Sequence, residues 1–340
     1  MLIFYGDDFE EKYMNKNIRH MMLAVSVLTG FAALPTQAAF PDDKPVTLVV
    51  PFAAGGPTDK VARELALSMG KTLKQQVIVD NSPGAGGTIA AKKVLNAPKD
   101  GYTILIHHIG MSTAPALYKN LGFDPNTDYE HLGQVADVPM IMVGNKDLPA
   151  KNLTELLAYI KANGNKIAYA NAGVGSASHL CGLLFMSTIQ QDMTTVPYKG
   201  TAPALTDLMG GQVQLMCDQT TNLSGQLKAK SVKAYGATTL QRIPAFKDIP
   251  TLHEQGLKNF QVNVWHGVYA PKGTPKAATD KLSAAIKAGI ADAGYKAKMT
   301  ELGANVPSEK NASPEGHKAH LKAQIDLWTP IIKKAGIYAD

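Results

Sequence analysis

The segment that most restricts the fold is Val46-Thr47-Leu48-Val49-Val50 followed at once by Pro51-Phe52-Ala53-Ala54-Gly55-Gly56-Pro57-Thr58-Asp59. A short β-branched run reads as a buried strand. Two glycines and a proline then read as a tight turn into a helix, with Pro57 in the first turn, where a missing N–H costs little. Val61, Ala62, Leu65 and Ala66 continue at helical spacing. Such a junction ends in unpaired amides and partial positive charge, and it can receive an anion. It is neither a dinucleotide fingerprint, because the G-x-G-x-x-G spacing is absent, nor a P-loop, because no Gly-Lys-Ser/Thr follows.

Residues 1–38 stand apart. Lys16 and Arg19 precede an apolar run from Met21 to Leu34, and Thr36-Gln37-Ala38 ends it with small residues at its outer positions. That order reads as a cleavable export signal. The acidic Asp7–Glu11 segment does not fit such a signal, so translation is expected to start at Met14. The apolar run is shorter than the roughly 20 residues of a membrane span. The mature chain is expected to be soluble and periplasmic.

About 300 residues remain, a length typical of two domains. Strand candidates at Val46–Val50, Val77–Val79, Thr103–Ile106, Met140–Val143, Lys166–Ala170, Gln212–Cys217, Val232–Gly236 and Val264–Ala270 alternate with amphipathic helices. The alternation predicts an α/β protein of parallel sheets covered by helices. A second strand–loop–helix pattern starts near Val143–Asn145, and the chain returns to the first unit near Trp265–Ala270. The expected division is residues 39–143 with 266–340 as domain 1 and 144–265 as domain 2, joined by hinge strands.

Domain 2 repeats the opening feature. Lys166–Ala170 is a strand, Asn171-Ala172-Gly173-Val174-Gly175 a loop, and Ser176-Ala177-Ser178-His179 opens a helix with Ser176 as a fitting N-cap. Ligands of open α/β sheets sit beyond the carboxyl ends of strands, where the two junctions could face each other.

Charge bounds the partners. The net charge is +6, but lysines are scattered singly and Arg63 and Arg242 are the only arginines beyond residue 38. That is no nucleic-acid face; a lysine surface with mild attraction for anions fits better. Neither junction contains arginine or lysine, so backbone amides, hydroxyls and water must hold an anion there. Asp59 would repel a carboxylate and is assigned to shaping its loop, while Arg63 braces the fold. His107-His108 lacks spaced partners for a metal, and adjacent strand residues face opposite sides. Ser176, Ser178 and His179 resemble a nucleophile neighbourhood without the G-x-S-x-G elbow.

The residues also carry a family pattern: Val49–Asp59 with Ala62-Arg63, Asn81-Ser82-Pro83-Gly84-Ala85-Gly86-Gly87, Asp100-Gly101-Tyr102-Thr103, Gly175–Leu180, Pro197-Tyr198-Lys199-Gly200-Thr201-Ala202-Pro203-Ala204 and Gly210-Gly211-Gln212-Val213. With them the chain resembles the extracytoplasmic substrate-binding proteins of tripartite tricarboxylate transporters, the Bug family. The resemblance covers essentially the whole mature chain. It implies a two-domain, Venus-flytrap binding protein that delivers a small carboxylate to membrane permease subunits, a monomer with no catalytic activity, no cofactor and no metal. Carried onto this sequence, the first grip is Phe52, Ala53, Ala54, Gly55, Gly56, Thr58 and Asp59, and the second Asn171, Ala172, Gly173, Gly175, Ser176 and Ser178. His108, Gly110 and Met111 would line a variable third wall, and Asp218 would be a ligand contact or a loop anchor. Tyr198-Lys199-Gly200 could line the cleft or only turn the chain. The apolar third wall leans toward an aromatic acid or a dicarboxylate over citrate. A sensor partner of a membrane signalling system and an exported serine hydrolase are the alternative classes.

An oxidising compartment and an even cysteine count predict a Cys181–Cys217 disulfide within domain 2, against the alternative of two buried thiols. Closure about strands near Val143 and Trp265 would bring the two grips together.

Overall fold

The computed structural model describes residues 40–336 and 338–339. The export signal expected at residues 1–38, with its start at Met14, lies outside the described residues.

Nine strands form one continuous sheet in the order β2-β1-β3-β9-β4-β7-β5-β6, with β8 branching from β4. They are β1 (Val46–Val50), β2 (Val77–Asn81), β3 (Thr103–His108), β4 (Tyr129–Asn145), β5 (Ala168–Asn171), β6 (Thr194–Pro197), β7 (Leu215–Gln219), β8 (Val232–Ala237) and β9 (Asn263–Pro271). The helices are α1 (Pro57–Leu73), α2 (Thr88–Leu95), α3 (Gly110–Leu117), α4 (Leu153–Asn163), α5 (Ala177–Ile189), α6 (Thr201–Met209), α7 (Thr220–Lys228), α8 (Lys276–Ala291), α9 (Ala293–Glu301) and α10 (Pro314–Ala335).

The expectation of wholly parallel sheets is corrected. β1 pairs parallel with β2 and β3, and β5 with β6 and β7. The centre is antiparallel, because β4 pairs with β9, β7 and β8, and β3 with β9, all antiparallel. The physical reason is the second crossing: a chain that leaves the first half of the sheet along β4 must come back along β9, in the opposite direction. β4 serves both halves, its residues 129–139 pairing with β9 and 140–145 with β7 and β8.

Helices cover both faces, and alternation along the strands supplies both layers. Leu48, Val50, Ile104 and Ile106 pack with Leu65 of α1 and Leu282 and Ile286 of α8. Their neighbours Val49 and Leu105 point the other way, to Leu117 of α3 and Leu321 and Trp328 of α10. In the other half, Met140, Met142, Leu215 and Cys217 meet Phe185 of α5, while Ile141, Val143 and Met216 meet Leu205 and Leu208 of α6 and Leu223 of α7. No helix among the described residues is long and apolar enough to cross a membrane.

Two elements absent from the periodicity reading surround the site. α3 begins where only a loop wall was expected, and α7 follows β7 with no intervening loop. Both start in small and hydroxyl residues whose helical pattern is weak, and burial against the sheet holds them. The first eleven residues of β4 and the exposed edge strand β6 were also missed.

Candidate functional site

At the carboxyl end of β1 the chain turns through Gly55, whose φ of +78° is left-handed and suits glycine. The turn is fastened by one side chain. Asp59 Oδ2 accepts from the Gly55 amide (2.9 Å) and Arg63 Nε (2.9 Å), and Oδ1 accepts from Arg63 Nη2 (3.0 Å) and Asn81 Nδ2 (3.0 Å). Burial raises the Asp59 carboxyl, yet the Arg63, Gly55 and Asn81 hydrogen bonds outweigh it and hold its pKa below the usual range. Every oxygen of Asp59 is thus occupied within the loop, and Arg63 is spent on it. Helix α1 starts after Gly56 with Pro57 in its first turn and no side-chain cap, which leaves its first amides for another acceptor.

The second junction is built the same way from different residues. Gly173 and Gly175 take φ of +96° and +84°. Asn171 Oδ1 accepts from the Gly173 amide (2.8 Å), and Ser178 Oγ from the Ala172 amide (2.9 Å). Ser176 Oγ caps α5 by accepting from His179 N at 3.3 Å. The His179 ring accepts from the Gly175 amide (3.3 Å) and, buried, is held neutral with its pKa lowered to about 4. Serine and histidine here are loop-forming parts, with no serine hydroxyl bonded to an imidazole nitrogen.

The two helix starts converge. Phe52, Pro57, Thr58, His108, Ala172, Ser176, Ala177, Ser178, Thr201, Asp218 and Gln219 line one narrow cavity. Of the expected site residues, Phe52, Thr58, His108, Ala172, Ser176, Ser178 and Asp218 are brought together on it. Ala53, Ala54, Gly55, Gly56, Gly173 and Gly175 form the two loops behind that lining, with Asp59 in the first turn of α1 and Asn171 at the end of β5. Gly110 is the first residue of α3 and donates its amide to His108 Nδ1 (2.9 Å). Met111 is buried in the core among Leu117 and Trp328 and does not reach the cavity. A wider groove between α1 and β2, lined by Arg63, Leu67, Lys74 and Ile78, has neither a helix start nor a buried polar side chain.

Pro57 and Ala177 lie inside the two expected grips, Phe52 to Asp59 and Asn171 to Ser178, whereas Thr201 and Gln219 were not expected. Thr201 lies within the Pro197–Ala204 motif, and Gln219 follows Asp218, so adjacency was the available signal. His266 was also missed. Its Nε2 lies 3.2 Å from Thr58 Oγ1, while Nδ1 is buried without a partner. Strand alternation opposite Trp265 was its only sign in the sequence. His108 stacks on Phe52, with centroids 4.7 Å apart. Burial drives both rings neutral: the His266 pKa falls to about 3, and that of His108 lies well below its ordinary value.

Asp218 is the penultimate residue of β7, and its side chain is fully buried. Oδ1 accepts from the Gln219 amide (2.8 Å) and Oδ2 from Asn222 Nδ2 (2.6 Å). Burial pushes its carboxyl up to about 6, against the opposing pull of Asn222, the Gln219 amide, Thr201 and the Lys60 charge. A disulfide joins Cys181 on α5 to Cys217 beside Asp218, with Cα atoms 6.1 Å apart. It ties the second helix start to the strand that carries Asp218.

The two halves of the sheet touch across the cavity. Lys60 Nζ donates to Thr221 O (3.1 Å) and the Ala53 amide to Lys199 O (3.2 Å), while the Tyr118 hydroxyl lies within bonding distance of both Ala85 O (2.8 Å) and Val174 O (3.0 Å) and shares its one proton between them. A Cβ on Gly86 would stand 2.0 Å from Val174 O, and one on Gly200 2.9 Å from Ala53 N, so glycine is what lets these loops meet.

Comparison with known proteins agrees with this geometry. A family model described as Tripartite tricarboxylate transporter family receptor matches residues 61–337. A protein of Agrobacterium vitis, described as UPF0065 protein in the TAR-I ttuE-ttuC' intergenic region, is 42% identical over 323 residues, 95% of this chain and 92% of that one. The structure of the periplasmic binding protein BugD is 51% identical with a TM-score of 0.85, covering 87% of this chain and 99% of that one. MatC from Rhodopseudomonas palustris, solved with bound malate, is 38% identical with a TM-score of 0.83, covering 86% and 99%. Both solved structures share this chain's fold, and the family model and the BugD structure describe binding proteins rather than enzymes.

Proposed function

The chain belongs to the tripartite tricarboxylate transporter receptor family, and on that premise we propose that it captures a small dicarboxylate in the periplasm and hands it to the membrane permease of such a transporter. The observation that carries the reading is the convergence of two helix starts, α1 and α5, on one cavity lined without arginine or lysine. Amides at helix starts and the hydroxyls of Thr58, Ser176 and Ser178 then bind a carboxylate, with bridging water completing its shell. Phe52 stacked on His108 makes an apolar wall for the carbon chain. MatC, solved with malate, supports the dicarboxylate class.

Binding closes two domains, residues 39–143 with 266–340 and residues 144–265, about β4 and β9. Closure excludes water and strengthens each amide contact. The test is a thermal-shift and calorimetric screen of C4 to C6 dicarboxylates, citrate and benzoate, followed by uptake measurements in a gene deletion. A dicarboxylate at 100 times its Kd raises stability by about 2.7 kcal/mol, and the deletion strain loses its uptake. Binding without loss of uptake would remove the transport role.

A further inference from the structure

A carboxylate at the bottom of a carboxylate-binding cleft is an electrostatic contradiction, and Asp218 poses it. Its side chain is fully buried and lines the same cavity as the two helix starts. Two like charges in one water-excluded site disfavour each other strongly. Something must neutralise one of them when a ligand carboxylate enters.

The surrounding groups supply no cation dedicated to Asp218, because the nearby Lys60 charge is shared with Asp59. Arg63 is engaged with Asp59 through two hydrogen bonds, and Asp59 itself is negative. Lys60 is the one lysine directed toward this region; its ammonium donates to Thr221 O across the cleft, and it acts on Asp218 and Asp59 together. Lys298 pushes against the Lys60 charge. From β3 and β9 the facing groups are His108 and His266, both held neutral by burial. From β5 it is Tyr169, whose phenol donates to Ser178 O and stays protonated. From α6 and α7 the groups are the neutral Thr201 and Asn222.

We propose that Asp218 takes up one proton from solvent as the ligand's carboxylate enters, so that carboxylate binding is linked to proton uptake and strengthens as pH falls. The inference rests on the reading that a carboxylate occupies this cavity. The proton converts Asp218 from a repelling acceptor into an O–H donor toward the ligand oxygen. Its existing bonds from the Gln219 amide and Asn222 leave lone pairs and one oxygen edge for that role.

The burial-raised carboxyl, near 6 before any ligand arrives, makes the uptake inexpensive. At pH 7 such a group is still about nine-tenths ionised, so binding should draw in about 0.9 proton. The sign follows. Below pH 6 Asp218 is protonated with or without ligand, and affinity is flat with respect to this group. Above it, affinity falls about tenfold per pH unit until the pKa of the complex is reached.

The experiment is calorimetry on the intact mature chain with L-malate, succinate and L-aspartate at pH 7, in phosphate and in Tris, whose ionisation enthalpies differ. Uptake of about 0.9 proton with malate or succinate, lost together with the pH dependence in Asp218→Asn, is the expected result. Binding of either diacid with no net proton exchange overturns the proposal and leaves the carboxylate site standing. So does uptake that persists in Asp218→Asn, which assigns the proton to His266 or His108. Tight binding of L-aspartate alone, without uptake, also overturns it, since the ligand's ammonium then supplies the cation. Failure of all three to bind at millimolar concentration removes the dicarboxylate reading and this inference with it. If Asp218→Asn does not fold, the two-buffer comparison on the unaltered chain decides, read at pH 7 and again at about pH 8.5, where a histidine pKa raised only to neutrality contributes no uptake.

Discussion

Asp59 shows how a single residue's chemistry shapes the first loop. An acidic side chain beside an anion site looks misplaced, but both of its oxygens are filled by Gly55, Arg63 and Asn81. Arg63→Met should therefore weaken carboxylate binding without touching ligand. It removes two charge-assisted bonds, each worth about 1.5–3 kcal/mol when one partner is buried; partial exposure of Arg63 puts the loss of stability at the low end. Denaturation and calorimetry on one preparation check both effects. Gly86 gives the opposite kind of test. Gly86→Val drives a side chain into Val174 O, so affinity should drop at least about tenfold while the circular dichroism of the open protein is unchanged. An unchanged affinity would mean that these loops do not meet when ligand is bound.

Among the elements, α5 and β7 are joined covalently. The Cys181–Cys217 disulfide holds the start of α5 against the strand end that carries Asp218. Reduction, or the Cys181→Ser/Cys217→Ser pair, should cost about 2–4 kcal/mol of stability. In the unfolded, unreduced protein neither thiol should be alkylated. A second feature lies between α10 and the central strands, where His131, His317 and His320 pack with Trp265 and Tyr269. Burial lowers all three imidazole pKa values, that of His131 to about 4. A histidine whose folded pKa lies below its unfolded value contributes stability that is fully present above about pH 6.5 and is lost as pH falls toward the folded pKa. Each such group removes up to about 1.4 kcal/mol per pH unit across that window. The midpoint of urea unfolding should fall between pH 7 and pH 4, and less so in His317→Phe. A midpoint independent of pH would show that α10 shields no titrating group.

At the scale of the whole molecule, β4 carries the fold. One strand pairs with β9 through nine residues of its 129–139 segment and with β7 and β8 through the remainder, so the two halves of the sheet have no flexible linker between them. Polar bonds join the halves across the cavity: Lys60 to Thr221, Ala53 to Lys199, Thr113 to Gly175 and Tyr118 to Val174. In the proposed closure, β4 and β9 are the strands that would twist. Tyr118→Phe removes one such bond and should lower affinity about fivefold, the equivalent of about 1 kcal/mol, with calorimetry as the measure.

Much of this was legible in the sequence for local reasons. A β-branched run marked β1, a short apolar run before the Gly173–Gly175 loop marked β5, Pro57 and Ser176 marked the helix starts, and motif glycines marked the loops. The disulfide followed from an even cysteine count and the expected oxidising compartment. What could not be read locally was pairing and proximity. The antiparallel centre depends on how a returning chain meets β4, a contact between residues more than a hundred positions apart. α7 carries little periodic signal of its own and exists because β7 ends in a buried place that a helix can cover. Met111 looked like a wall residue until α3 turned it into the core. His266 and Thr58 meet only through the tertiary fold. Asp218 was visible as an acid at a strand end. Its burial, and the sharing of the nearby Lys60 charge with Asp59, are properties of the folded site, because desolvation is set by everything packed around a group and not by its neighbours in the chain.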